Sequence, residues 1–237
     1  MLIPDGSEKV LAIPDTQLPF HHKEAISFLS AVKEVYKPTQ VIHLGDFFDL
    51  HALSNYPHDP DGYGAGHELE EAIVEAQKYY ELFPKARVLI SNHDIRAYKR
   101  AYEIGIPKRF LKDYHEWMEF PPGWSMEEKV EIDGVLYIHG EGYSGALASR
   151  QMVLHMMQSV VHGHLHSFAN IAYHATPKAL MFGFNVGCLI NSKAYVFAYG
   201  THMKYKPILG CGIIDKGVPH FVPMLLDHNG NWIGRLV

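Results

Sequence analysis

The amino-acid sequence predicts an α/β fold with two β-sheets, on three observations. Short apolar runs alternate with segments in which apolar residues recur at helical spacing. This alternation favours a largely parallel sheet with helices on its faces. Asp133-Gly134 between two apolar runs predicts a hairpin, and residues 168–225 are mostly short β-like runs. We therefore expect a second sheet packed on the first.

The elements are predicted in order along the chain. Short apolar runs indicate strands at residues 10–14, 40–44, 87–90, 129–132, 135–139 and 159–161. Apolar residues at helical spacing indicate helices at residues 22–36, 69–83 and 146–157, and the first two stop at a proline. Residues 51–66, rich in Pro, Gly, Asp and His, are expected to form a long loop, and residues 95–118 a helical, basic and aromatic stretch.

Length and composition favour one soluble domain over residues 1–237, with a basic helical cap at about 95–120. The net charge of −5 excludes a global basic field, so a polyanion would need a local patch. The only two cysteines, Cys188 and Cys211, are expected to be small buried residues and not nucleophiles. The first ten residues carry no long apolar run, so we expect a cytoplasmic protein without a membrane segment.

Five polar clusters each follow a predicted strand. They are Asp15-Thr16-Gln17, Gly45-Asp46-Phe47-Phe48-Asp49, Asn92-His93-Asp94, His139-Gly140 and Gly163-His164-Leu165-His166. In such folds ligands bind at the carboxyl ends of strands, where these clusters would converge. Unpaired charges packed together would repel, and two divalent cations remove that cost. Oxygen and nitrogen ligands without thiolate suit Mn, with Fe, Zn, Ni and Mg as the other candidates.

The ordered motifs D-x-(H/Q), GD-x-x-D, NHD, H and GH-x-H over residues 15–166 resemble the calcineurin-like metallophosphoesterases. The resemblance implies a four-layer α-β-β-α sandwich of two mixed sheets, with the metal site at the strand carboxyl ends. It implies that Asp46 bridges two metals, and that the other ligands are Asp15, Gln17 and His166 for one metal and Asn92, His139 and His164 for the second.

The same resemblance assigns catalytic roles. His93 would sit beside the scissile phosphate, where it stabilises the transition state or protonates the leaving group. Asp49 or Asp94 would orient an imidazole, as outer groups do at metal sites. A hydroxide bridging metals roughly 3.5–4 Å apart would attack the phosphorus in line. The substrate would then be a phosphate ester.

Gln17 departs from the family pattern, because most relatives have His there. A Gln oxygen is a weaker ligand, so Gln17 either loosens one metal or lies outside the ligand set, with His21 or His22 reaching in. Ser91 replaces a usual Gly and is expected to affect the turn and not the ligands. His162 is interpreted as a packed structural residue. Surface or lid positions are expected for the remaining candidates, His21, His22, His51, His58 and His67.

Residues 95–112 have two interpretations. Six cations stand against Glu103 alone, with Tyr98, Tyr102 and Phe110 between them. The stretch is either a solvated helical face or a phosphate-gripping wall, in which Arg96, Arg100 and the nearby Asn92 would contact substrate. Core positions are instead expected for the other aromatic residues considered, Phe47, Phe48, Tyr195, Phe197 and Tyr199.

Three functions follow from these patterns. The leading hypothesis is a phosphodiesterase acting on nucleic acid or a nucleotide. A phosphomonoesterase for nucleotides or other small phosphates is the alternative. A non-catalytic binding scaffold is the third, and the presence of both Asp46 and His93 disfavours it. The sequence indicates no oligomeric state.

Overall fold

The computed structural model describes residues 6–55, 61–194 and 206–237. Its strands are β1 Lys9–Ile13, β2 Gln40–His43, β3 Ala86–Leu89, β4 Trp124–Glu127, β5 Val130–Ile132, β6 Val135–Ile138, β7 Ser159–His162, β8 Ala169–Ala175, β9 Leu180–Val186, β10 Gly210–Asp215 and β11 Val218–Pro223. Its helices are α1 Ala25–Tyr36, α2 Ala65–Leu82, α3 Arg96–Glu103, α4 Tyr114–Trp117 and α5 Ala148–Met156. Short 3₁₀ turns lie at His51–Leu53 and Lys108–Phe110.

Both sheets are mixed. The first has the order β11-β10-β1-β2-β3-β4 and the second β5-β6-β7-β9-β8. Strands β1 to β4 run parallel, and β10 pairs antiparallel with β1. In the second sheet β6, β7 and β9 are parallel, whereas β5 and β8 are antiparallel to their neighbours. The parallel strands bring their carboxyl ends to one edge of each sheet.

The side chains of β1 point alternately to the two faces of the first sheet, and their contacts show how the layers stack. Leu11 and Ile13 pack with Phe28 of α1 and Ala76 of α2, on one face of the first sheet. The intervening Val10 and Ala12 belong instead to a separate core cluster. That cluster contains the second-sheet residues Tyr137, Val161 and Phe184. Successive side chains on a strand point to opposite faces, so one strand serves two interfaces.

Helix α5 forms the outermost layer beyond the second sheet. Its residues Ala148 and Met152 pack on Leu136 and Val160, which point away from the first sheet. Burying a large aliphatic side chain contributes roughly 1.5–3 kcal/mol, so each interface holds its layer firmly. The order α1/α2, first sheet, second sheet, α5 confirms the four-layer sandwich.

The hairpin prediction is also confirmed. Strands β5 and β6 pair antiparallel, with Ile132 opposite Val135. Asp133 and Gly134 have φ of 51° and 73°, the left-handed conformation that a two-residue hairpin turn needs.

Several predicted boundaries were wrong. The long loop was expected to reach residue 66, but α2 begins at Ala65. Helix α1 begins at Ala25, not at residue 22. Strand β4 was not predicted, since Trp124–Glu127 mixes apolar and charged residues at a partly exposed edge. The predictions for His58, Tyr195, Phe197 and Tyr199 concern residues outside the described ranges.

In the part of the chain that the structure describes, every helix is too short or too polar to cross a membrane. The same part places Phe47, Phe48, Cys188 and Cys211 in the buried interior. Burial raises the pKa of both thiols well above its usual value, so neither is poised as a nucleophile.

Candidate metal centre

The polar clusters lie just beyond the ends of neighbouring parallel strands. Asp15 follows β1, Asp46 follows β2, and residues 92–94 follow β3 in the first sheet. His139 follows β6, while His164 and His166 follow β7 in the second sheet. The two sheets therefore supply complementary halves of one site.

Two triads of side chains could each hold a cation. One consists of Asp46, His139 and His164, and the other of Asp15, Asp46 and His166. Within each triad the ligand atoms lie within 4.8 Å of one another. Asp46 is common to both, as expected for a carboxylate that bridges two metals. We call these groups the first and second triad.

In the first triad, His139 is held in place by its own hydrogen bonds. Its Nδ1 lies 2.9 Å from the Leu44 carbonyl oxygen, so Nδ1 carries the proton and Nε2 is left for a metal. That Nε2 is 2.9 Å from Asn92 Oδ1, 3.1 Å from His164 Nδ1 and 3.4 Å from Asp46 Oδ1. Asn92 thus extends the first triad with a neutral oxygen.

In the second triad, Asp15 is the central group. Its Oδ2 is 2.9 Å from His166 Nε2, and its carboxylate accepts the backbone N–H of His164 at 2.9 and 3.1 Å. Gln17 is fully buried beside it, with Nε2 at 3.2 Å from Asp46 Oδ2 and 3.4 Å from His166 Nε2. Its Oε1 is buried without a hydrogen-bond partner.

The backbone at the site adopts conformations that cost energy. Gln17, Asp46 and His164 have φ of 49°, 49° and 69°, and non-glycine residues seldom adopt these values. Strain of this kind, of order 1–3 kcal/mol per residue, clusters at functional sites. Gly163 is also constrained, since a Cβ there would collide with Asp15 Oδ1.

The charges of the cluster are mutually dependent. Burial alone would raise the pKa of Asp46, but the charges of His93 and His139 and a hydrogen bond from Ser91 hold that pKa far below its usual value. Burial lowers the pKa of His139, yet Asp46 and Asp15 raise it above its ordinary value. Protons on imidazoles thus compensate the carboxylates, and divalent cations can replace those protons.

The donor set fits two hard or borderline divalent cations. It combines carboxylate, amide and imidazole groups on buried, hydrogen-bonded side chains, with a shared carboxylate at its centre. The Gln17 oxygen, which has no hydrogen-bond partner, would be a further donor if the side-chain amide rotated by half a turn. The amide can do so in place, because its oxygen and nitrogen ends are nearly equal in shape.

His93 lies beside Asp46 but belongs to neither triad. Its Nδ1 is 2.7 Å from Asp49 Oδ1 and 3.1 Å from the Asp49 carbonyl oxygen. Its Nε2 is 3.7 Å from Asp46 Oδ2 and 3.0 Å from an Arg96 guanidinium nitrogen. Burial opposes protonation, but the carboxylates of Asp46 and Asp49 raise the pKa of His93 above its ordinary value.

The other predicted site residues are placed as follows. Arg96 contacts both His93 and Asp49. Asp94 accepts hydrogen bonds from the Ser91 hydroxyl at 2.6 Å and the Phe48 N–H at 3.3 Å. Burial and the charge of Asp46 raise the pKa of Asp94 to about 7. Asp94 therefore braces two neighbouring loops.

Arg100 is directed away from the triads. Its guanidinium donates to the carbonyl oxygens of Leu53 and Ser54 and pairs with Glu103 at 2.9 Å. Helix α3 thus brings Arg96 to the centre, whereas Arg100, one turn further on, holds the segment after Asp49.

Four expectations about the surroundings need correction. His21, His22 and His51 are buried, not at the surface. His21 is held by the Tyr79 hydroxyl and Glu75 at 2.8 and 2.9 Å, and His22 by the Gly230 carbonyl oxygen, so neither replaces Gln17. Ser91, expected to affect only the turn, hydrogen-bonds carboxylates of the site. His67, which was also predicted to lie at the surface, is exposed.

Two histidines, His43 and His162, are buried beneath the site, and of these only His162 was predicted. His43 is fully buried at the end of β2, with Nε2 at 3.1 Å from the Thr16 hydroxyl, and burial lowers its pKa to about 3. Because His43 lies within an apolar run of the sequence, no pattern indicated a polar group close to the site. His162, interpreted as structural, is 3.0 Å from the Ser149 hydroxyl, and burial lowers its pKa to about 4.

The fold is an α/β sandwich that brings potential metal ligands together at the strand ends. The family model of the calcineurin-like phosphoesterases matches residues 8–186, which include every candidate ligand. The chain therefore belongs to the calcineurin-like phosphoesterase family, whose members commonly bind divalent metals. No curated protein matches the chain.

Solved structures of Vps29 resemble the chain at low identity. Vps29 from Chaetomium thermophilum is 9% identical, with 98% of this chain and 95% of that chain covered and a TM-score of 0.49. Vacuolar protein sorting 29 from Cryptosporidium parvum is 14% identical, with 90% and 94% covered and a TM-score of 0.40. A single mutant of Vps29 from Entamoeba histolytica is 12% identical, with 87% and 85% covered and a TM-score of 0.40. TM-scores this low carry no conclusion about activity or partners.

Proposed function

We propose that the chain is a phosphoesterase that holds two divalent cations and hydrolyses a phosphodiester, in nucleic acid or a nucleotide. One observation carries the proposal: two potential metal triads share the buried Asp46, and His93 lies beside that carboxylate outside both triads. A binding scaffold would need the fold, but it would not need a protonatable imidazole aimed at the bridging carboxylate.

The ligands would divide between the triads. Asp46 would bridge, with His139, His164 and Asn92 on one side and Asp15, His166 and Gln17 on the other. Mn²⁺ is the leading candidate because the donors are mixed oxygen and nitrogen. When bound, the two cations would supply Lewis acidity and lower the pKa of water to about 7.

His93 would act as the general acid. Asp49 fixes Nδ1 at 2.7 Å, so the ring cannot turn and Nε2 faces the centre. Burial and the charge of Arg96 oppose protonation, but the carboxylates of Asp46 and Asp49 raise the pKa of His93 and so favour the protonated ring. As the P–O bond to the leaving group breaks, that proton would pass from Nε2 to the departing oxygen. A metal ligand could not do this, because its lone pair is engaged.

Arg96 would bind the phosphate. Its guanidinium lies 3.0 Å from His93 Nε2 and 2.8 Å from the Asp49 carbonyl oxygen. The planar group presents several donors at once and matches phosphate oxygens well. It would hold a non-bridging oxygen next to the proton donor.

The test compares two aryl esters with purified protein and added Mn²⁺. We expect faster hydrolysis of bis(p-nitrophenyl) phosphate than of p-nitrophenyl phosphate, and slower hydrolysis of both in His93→Asn. The control is His220→Asn, since His220 is exposed on β11. Preference for the monoester would favour the phosphomonoesterase. Absence of hydrolysis with Mn²⁺, Fe²⁺, Zn²⁺, Ni²⁺ and Mg²⁺ would favour the scaffold.

A further inference from the structure

Helix α3 and the following 3₁₀ turn carry large apolar side chains in water. Tyr102 is 85% exposed, Ile104 75% and Phe110 74%. Single exposed apolar residues are common, but several within nine residues mark a binding surface. We call the segment 96–112 the α3 platform.

The charge of the α3 platform opposes that of the whole chain. It contains six Lys and Arg residues and one acid, whereas the chain has a net charge of −5. Arg100 pairs with Glu103, and Lys112 with Glu116. Lys99, Lys108 and Arg109 have no acidic partner within 4.0 Å among the described residues. The local field therefore attracts an anion.

A pocket of about 430 Å³ opens on this surface, lined by Tyr98, Lys99, Tyr102, Ile106 and Lys108 among others. The ring of Tyr98 forms a fixed wall, since its hydroxyl donates to the Lys112 carbonyl oxygen at 2.7 Å and accepts from Trp117 Nε1 at 3.3 Å. Lys108 Nζ lies 5.6 Å from the centre of that ring. Three tyrosine rings and two lysines thus line the pocket, together with Glu103 and three aliphatic side chains.

We propose that the α3 platform binds a single-stranded nucleic acid, with bases stacked on Tyr102 and Phe110 and phosphates held by Lys99, Lys108 and Arg109. Stacking on exposed rings and contacts to phosphates are how such strands are bound without sequence preference. An acidic protein segment could use the cations, but it offers no flat faces for the exposed rings.

The platform begins beside the candidate metal centre, and this step rests on the proposed function. Helix α3 starts at Arg96, whose guanidinium is 3.0 Å from His93. Eight residues of helix span about 12 Å, which matches roughly three stacked nucleotides at about 3.4 Å each. The platform would thus define the substrate as a strand of several nucleotides.

The experiment measures binding of a fluorescent oligothymidylate of about 12 nucleotides, within the usual range of site sizes, by anisotropy in EDTA. Without metal no cleavage occurs, so binding is read separately from catalysis. We expect Tyr102→Ala to weaken binding about 5- to 100-fold, as for the loss of one stacked base. Lys99→Ala with Lys108→Ala should lower the slope of log affinity against log salt by about 1.4.

The matched control residues lie on β8 and in the turn between β8 and β9. Tyr173 of β8 is 56% exposed and Lys178 is exposed, so Tyr173→Ala and Lys178→Ala should bind as wild type does. Equal effects of the platform and control variants would overturn the proposal. So would displacement of the oligonucleotide by polyglutamate at equal charge concentration, because that outcome indicates an acidic protein partner.

The two proposals fail in different ways. If the wild type hydrolyses the aryl diester but does not bind the oligonucleotide, the platform proposal is wrong and the phosphoesterase stands. If it binds the oligonucleotide through Tyr102 but hydrolyses neither ester with any metal, the phosphoesterase is wrong and the binding surface stands.

Discussion

The two triads share Asp46 but differ in the ligands around it. The first adds two imidazoles, His139 and His164, and lies against the Asn92 oxygen. The second adds one carboxylate and one imidazole, Asp15 and His166. Beside the second, Gln17 presents its amide nitrogen to Asp46 and leaves its oxygen unpaired.

With a cation bound in each triad, as proposed, this difference would make the two metal positions unequal. Imidazole favours borderline ions such as Zn and Ni, whereas carboxylates favour harder ions such as Mn and Mg. The Gln17 amide must turn over before its oxygen can ligate a metal at the second position, and an amide oxygen is a weaker donor than an imidazole. We expect the positions to fill in order, with the first position tighter for borderline ions.

The largest effect is expected from Asp46→Asn, which weakens both triads at once. Loss of the shared negative charge should abolish paired metal binding and reduce kcat/KM by about 10³- to 10⁵-fold, equivalent to several kcal/mol of transition-state stabilisation. Aryl diester hydrolysis measures this directly. If the variant loses only one metal and less than about tenfold activity, Asp46 does not bridge.

His93→Asn should separate chemistry from metal binding. The side chain is outside both triads, so both cations should still bind. Loss of a general acid should lower kcat by about 10²- to 10⁴-fold. The reduction in kcat should be smaller for p-nitrophenyl esters, whose leaving group needs no proton, than for phenyl esters, whose leaving group does. The two kinds of ester are therefore compared. An equal reduction with both leaving groups would contradict the role of proton donor.

Metal affinity at the first position should depend on pH through His139. Asp46 and Asp15 raise the pKa of His139, and the proton must leave before Nε2 can coordinate. His164 needs no such step, because burial lowers its pKa. Affinity should therefore rise about tenfold per pH unit below the pKa of His139 and level off above it. Calorimetric titration of the protein with metal, at pH 6 and at pH 8 and in two buffers, measures the number of protons released on metal binding.

The smallest effect is expected from Gln17→His, which replaces a weak amide donor at the second position with an imidazole. Zn²⁺ affinity there should rise by about tenfold, since an outer or weak ligand typically changes affinity by one to two orders of magnitude. Histidine tolerates the left-handed backbone at this residue better than most side chains. Gln17→Ala is the matched control, and equal affinity in all three proteins would show that residue 17 is not a ligand.

Much of the fold could be predicted because the relevant patterns are local. Apolar runs gave strands near β1, β2, β3 and β7, and Asp133-Gly134 gave the hairpin between β5 and β6. Strand β4 escaped prediction because it is stabilised by pairing with β3, which no local pattern records. The same holds for the early start of α2, where the first turn is largely exposed.

The site was predictable where residue type and position after a strand coincide. Asp15, Asp46, Asn92, His139, His164 and His166 all meet at the strand ends. The sequence could not show that Asp49 rather than Asp94 holds an imidazole, or that Arg100 turns away, because both depend on side-chain direction. It also could not separate buried His21 and His51 from surface histidines, since their partners come from distant segments.

The central claim is that Asp46 joins two metal positions, and metal occupancy tests it most directly. Protein equilibrated with Mn²⁺ and freed of excess metal would be crystallised, and anomalous scattering recorded at the Mn edge. The account predicts two peaks, one on each side of Asp46. A single peak, or none within coordination distance of Asp46, would contradict it.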